Sequence, residues 1–172
     1  MLTMRDLLPM RRSELRSVAR SASPIDPRIL DDSEWRGTSL GLPRLVERLT
    51  WKKFMKVFRR DPETRVLRGW NVRIEQNGLE APWIPQQRRG APVIFGHFVV
   101  VDAPAPEGGV ILDYGAANAS FHPMSRIRDP HLSVGDDLLL GWSDVAIGTR
   151  RFATPTFFCL ERGAGQSTNG PR

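Results

Sequence analysis

The 172-residue chain holds a single cysteine, Cys159, which excludes an internal disulfide and a cysteine-built zinc site. No stretch approaches the roughly 18 consecutive apolar residues that a membrane-spanning helix needs. A Gly-rich phosphate loop, a His-Glu-x-x-His helix and a Gly-x-Ser-x-Gly elbow are all missing, and no cofactor is implied. The three histidines, His97, His122 and His131, stand on separate segments without metal-ligand spacing, so no metal site is expected. The N-terminus has no continuous apolar core and does not read as a secretory signal. The cytoplasm is therefore the expected compartment.

What is present reads as one ordinary domain. The chain is 40% hydrophobic, too apolar for a disordered chain, and long enough to bury a core. Fourteen prolines and 15 glycines supply turns for many short elements. The net charge is +6, and half of it sits in residues 1–20, where Arg5, Arg11, Arg12, Arg16 and Arg20 face only Asp6 and Glu14. The body of the chain is nearly balanced, so nucleic acid is not the expected partner. No oligomeric state is assigned.

Residues 1–22 predict a basic leading helix that turns Leu7, Leu8, Leu15 and Val18 toward the body. Residues 33–40 predict a first strand. From Gly41 and Pro43 the spacing turns helical: Leu42, Leu45, Val46 and Leu49 form one set, and Trp51, Phe54, Met55 and Phe58 a second set on the opposite side. Two short helices, or one kinked helix, are expected over 42–60. Residues 64–75 then alternate, with Val66, Arg68, Trp70, Val72 and Ile74 on one face and Arg65, Asn71, Arg73 and Glu75 on the other. A loop, or a poorly paired edge, is expected over 79–90. Further strands are expected at 93–101, 110–114, 119–128 (weaker), 136–146 and 154–162, before a polar tail at 163–172 that reads as disordered. Successive strands without intervening helices point to an antiparallel sheet, and that many in one domain usually close into a barrel. The fold expected for residues 23–162 is a mainly β, antiparallel barrel of the lipocalin or fatty-acid-binding-protein kind, carrying the leading helix and the helical insertion.

Three patterns bear on function. On a helix over 51–60, Lys52, Lys53, Lys56, Arg59 and Arg60 would make a basic face, either simply solvated or able to meet an acidic partner, a lipid surface or nucleic acid. Arg68 shares a strand face with apolar residues, and His97 lies between Phe95 and Val99. A buried charge needs a partner, so Arg68 implies either an internal carboxylate (Asp113, Asp129, Asp137 or Asp144) or an anionic ligand.

Trp35-Arg36-Gly37, followed by Trp51-Lys52-Lys53-Phe54, resembles the GXWXG-type domain family of lipocalin-like proteins. The run Asp137–Gly141 and the later Pro155–Arg162 resemble that family's closing strands. One departure is Ser33, where the family pattern has glycine two residues before the tryptophan. The resemblance implies a calycin-type barrel around a small-molecule cavity and supplies no catalytic residues. It also implies that Arg162 of the last strand covers Trp35 of the first. On this basis a hydrophobic small molecule with an acidic or carbonyl end is expected in the cavity, contacted by Arg68, His97, Trp70, Phe95 and Tyr114. The alternatives are an isomerase or cyclase using His97, Tyr114 or an aspartate as acid or base, and an adaptor acting through the basic helix.

Overall fold

The computed structural model describes residues 2–41, 52–103, 109–119, 121–148 and 150–163. Two short helices, α1 (Met4–Leu7) and α2 (Arg12–Ser21), stand in place of the single leading helix. A capping box built by Thr3 and Asp6 opens α1. The strands are β1 (Glu34–Leu40), β2 (Lys53–Arg60), β3 (Leu67–Arg73), β4 (Gln87–Arg88), β5 (Ala91–Pro92), β6 (Ile94–Asp102), β7 (Val110–Asp113), β8 (Ile127–Gly135), β9 (Leu138–Ile147) and β10 (Arg150–Arg162). Eight of them close an antiparallel barrel in the order β1-β10-β9-β8-β7-β6-β3-β2, while β4 and β5 form a separate hairpin.

The expected helix over 53–60 is a strand. Phe54, Met55, Val57 and Phe58 satisfy a helical period, but they are aromatic, branched or large residues that suit a pleated wall equally well. Tertiary pairing decides the matter: β2 lies between β1 and β3, in register with both. Without it two sheet edges would stand open. Asp61 then turns the chain into β3, its carboxylate accepting the backbone N–H groups of Glu63 and Thr64. Lys53 and Lys56 are both buried, so the basic face proposed for an adaptor does not form from these residues. The helical set at 42–49 and the tail beyond 163 lie outside the described residues. The weak strand expected at 119–128 falls later, at Ile127–Gly135, and is preceded by a 3-10 turn at Pro123–Arg126.

The inner wall is lined by Trp35, Phe58, Leu67, Phe98, Val110, Leu112, Tyr114, Leu139, Phe158 and Leu160, closed at one end by Ile25 and Leu30. Several strands are also apolar outward because the wall is covered there. Leu7 and Leu15 of the helices bury against Leu40, Leu138, Leu140, Phe157 and Cys159. Each fully buried leucine is worth about 1.5–3 kcal/mol. A second outer patch joins Met55, Val57, Val72 and Ile74, with Trp70 and Trp83 packed on it. Lys53 pins the chain over that patch, its ammonium donating to Asn77 Oδ1 at 2.6 Å and to the carbonyl of Gly78 at 2.8 Å.

Trp35 pairs in register with Arg162 across β1 and β10. The guanidinium carbon lies 5.0 Å from the centre of the Trp35 rings, as the resemblance implied. The Ser33 hydroxyl accepts the Trp35 indole N–H at 2.9 Å and donates to the Leu30 carbonyl at 2.7 Å. Burying an indole without such a partner would leave an unsatisfied donor.

Candidate functional site

Strand alternation brings six polar side chains into the barrel: Lys56 from β2, Asn71 from β3, Tyr114 just after β7, Asp129 and His131 from β8, and Ser143 from β9. Lys56 is at their centre. Its Nζ donates to Tyr114 Oη at 2.7 Å, Asn71 Oδ1 at 3.0 Å and Asp129 Oδ2 at 3.2 Å. All three ammonium hydrogens are therefore used. Tyr114 Oη donates to Asp129 Oδ2 at 3.0 Å and accepts from Asn71 Nδ2 at 3.1 Å. The other carboxylate oxygen of Asp129 accepts from Ser143 Oγ at 2.8 Å.

Four rings surround the ammonium. Phe54, Phe98, Tyr114 and Phe158 lie with their centroids 5.2–5.4 Å from Nζ, inside the range of cation–π attraction. Three of these rings lie flat against glycines. A Cβ on Gly37 would stand 2.2 Å from Phe54, one on Gly69 2.5 Å from Phe98, and one on Gly141 2.6 Å from Phe158. The missing side chains draw the rings back onto the wall and leave the centre to the lysine. Phe54 alone of the four is half-buried, so it is the ring of the cage nearest solvent.

Burial sets the titration of this cluster. It pulls the Lys56 ammonium below the ordinary lysine range, with Asp129 opposing that shift. It holds the Tyr114 phenol well above its usual value, with the Asp129 charge adding to the effect. His131 is lowered to about 4 by burial and by the nearby Lys56 charge, so it is a neutral imidazole at pH 7. Its Nδ1 faces the Asp129 backbone carbonyl at 2.8 Å. A carbonyl only accepts, so Nδ1 carries the hydrogen and Nε2 the lone pair. Nε2 is buried and makes no hydrogen bond to the protein.

Of the residues expected at the site, Tyr114 is inside. Arg68 is exposed on the outer face, and so is His97, whose ring lies 6.3 Å from that of the half-buried Trp70. The parity of residues 66–74 is as expected, but the faces are exchanged. Val72 and Ile74 bury outward beneath residues 75–93, while Leu67, Gly69 and Asn71 face inward. Phe95 is half-buried, and Arg73 lies over it with 5.6 Å between guanidinium carbon and ring centre. Of the carboxylates weighed for Arg68, Asp129 pairs with Lys56, Asp113 with Arg128 and Asp137 with Arg162. Lys56, Asn71, Asp129 and His131 were missed as site residues. The available signal is Phe54-x-Lys56-x-Phe58 and Asp129-x-His131, each a period-two pattern that sets charge or imidazole on the inward face.

Outside the barrel, α2 and the outer face of β8–β10 enclose a groove of about 480 Å³. Leu132, Trp142 and Phe157 floor it, and Arg16 and Arg20 flank it. Among the described residues no helix is long and apolar enough to cross a membrane. No family model matches the chain, and neither does any curated protein or solved structure.

Proposed function

We propose that the barrel holds a hydrophobic small molecule with an acidic or carbonyl end, and that Lys56 and Tyr114 each exchange an internal hydrogen bond for a polar contact with it. The observation that carries this reading is a fully buried ammonium ringed by aromatics at the centre of a closed barrel. A barrel under selection for stability alone does as well with apolar residues there, because a buried ion pair rarely outweighs its own desolvation. Barrels of eight strands can enclose one small ligand, and charge-assisted hydrogen bonds would orient it while apolar area supplies affinity. Kinship with the GXWXG-type, lipocalin-like domains and a cytoplasmic location belong to the same proposal; the Trp35–Arg162 contact supports the kinship. Arg68 has no part in it.

Native mass spectrometry of the purified full chain tests the reading. A co-purified small molecule is expected, lost in Lys56→Met and kept in Ala153→Trp, which fills the outer groove. Retention in the first variant and loss in the second would move the site to the groove and overturn the proposal.

A second reading, isomerisation or cyclisation of such a ligand, is favoured by His131 Nε2. A free lone pair near the Lys56–Tyr114 donors suits proton transfer next to a carbonyl. Solvent deuterium would then enter the ligand in the wild type and not in His131→Gln; equal uptake in both would remove this reading.

A further inference from the structure

We infer that Lys56 is a covalent attachment point, its amine condensing with the carbonyl of an apolar aldehyde or ketone to give an imine. This rests on the reading that the barrel binds a ligand with a carbonyl end, and narrows it to one chemistry.

The composition is the first support. The chain has 22 arginines and three lysines, and all three lysines lie within residues 52–56. Arginine carries surface charge elsewhere, but it keeps its proton at any working pH and is no amine nucleophile. Lys53 is engaged structurally, donating to the Asn77 side-chain amide oxygen and to the backbone carbonyls of Gly78, Ala81 and Pro82. Lys56 is turned into the barrel.

Geometry is the second support. Desolvation favours the neutral amine, and Asp129, at 3.2 Å, stands ready to take its proton. The steps balance without an oxidant. Lys56 passes one proton to Asp129. The neutral amine attacks the carbonyl carbon, a C–N bond forms, and the C=O π pair moves to oxygen, which receives a proton from the same nitrogen. Asp129 then returns its proton to the hydroxyl, the C–O bond breaks, and water leaves. The product is a protonated imine beside the Asp129 carboxylate, so the interior charge is the same before and after. Tyr114 and Asn71 remain within reach of the nitrogen to hold it in place. The aromatic cage that now encloses the ammonium would enclose the iminium in the same way.

The test uses the full chain with 3-phenylpropanal and sodium cyanoborohydride, followed by digestion and peptide mapping. A dominant reduced adduct on Lys56 is expected, with Lys52, Lys53 and the N-terminal amine largely spared. Prior unfolding in guanidinium should abolish that preference. Lys56→Arg keeps the charge and should lose the adduct. The companion measurement is tryptophan quenching by 3-phenylpropanoic acid, which cannot form an imine. Binding of the acid with no labelling of Lys56 by the aldehyde would sink the covalent proposal and leave the binding reading standing. Failure of both probes would remove the two together.

Discussion

Lys56 and Asp129 meet across the full width of the barrel, Nζ 3.2 Å from Oδ2. Their strands, β2 and β8, are four steps apart in either direction round the eight-strand ring. No backbone pairing links the two strands, so this contact braces opposite walls through side chains alone. Both side chains are buried, at 2% and 6% exposure, which makes the pair sensitive to the loss of either member.

The first prediction follows from that brace. Lys56→Met leaves a carboxylate buried without its cation and should cost about 3–5 kcal/mol in urea unfolding, the range for breaking a buried pair. Lys56→Met combined with Asp129→Leu removes both charges and should recover most of that loss. A double variant no more stable than the single one would show that the contact does not couple the two walls.

The Trp35–Arg162 lid makes a separate prediction. Arg162 also donates to the Ile29 carbonyl at 2.7 Å, so it ties the segment before β1 to the last strand. Arg162→Ala should cost about 1–2 kcal/mol, from cation–π attraction together with that hydrogen bond. Trp35 fluorescence should shift to the red as water reaches the indole. Unchanged emission and unchanged stability would show that the guanidinium does not seal this end.

His131 gives the fold a pH dependence whose sign is set. Its folded value, about 4, lies below the unfolded value near 6.5. The unfolded chain therefore binds more protons between these values, and stability falls as pH drops from about 6.5 to 4. The loss is on the order of 3 kcal/mol, complete near pH 4, and absent above pH 7. Urea midpoints measured across pH 4–7 check it, with His131→Gln expected to flatten this part of the profile.

Gly37 is required by the ring that lies on it. A methyl group there would stand 2.2 Å from Phe54, so Gly37→Ala should cost about 1–3 kcal/mol by overpacking and displace Phe54 from the Lys56 cage. Thermal unfolding reads the first effect, and near-ultraviolet circular dichroism reads the second. An alanine variant of wild-type stability would show that Phe54 has room to move aside.

The local pattern of the chain determined most of the strands and the antiparallel class. Alternation at period two acts within a few positions and needs no partner to be read. What local pattern does not carry is which side of a wall is the inside. Residues 66–74 alternate cleanly, yet their apolar set lies on the outer face, because residues 75–93 cover that face and make it a second buried surface. Residues 53–60 satisfy helical and strand periods alike, and only pairing with β1 and β3 chooses between them. That choice turns Lys56 from a solvated charge into the centre of the barrel. Asp129 and His131 share a face by local alternation, but they meet Lys56 only because β8 stands opposite β2, since a cluster built across a barrel is a product of strand order and closure.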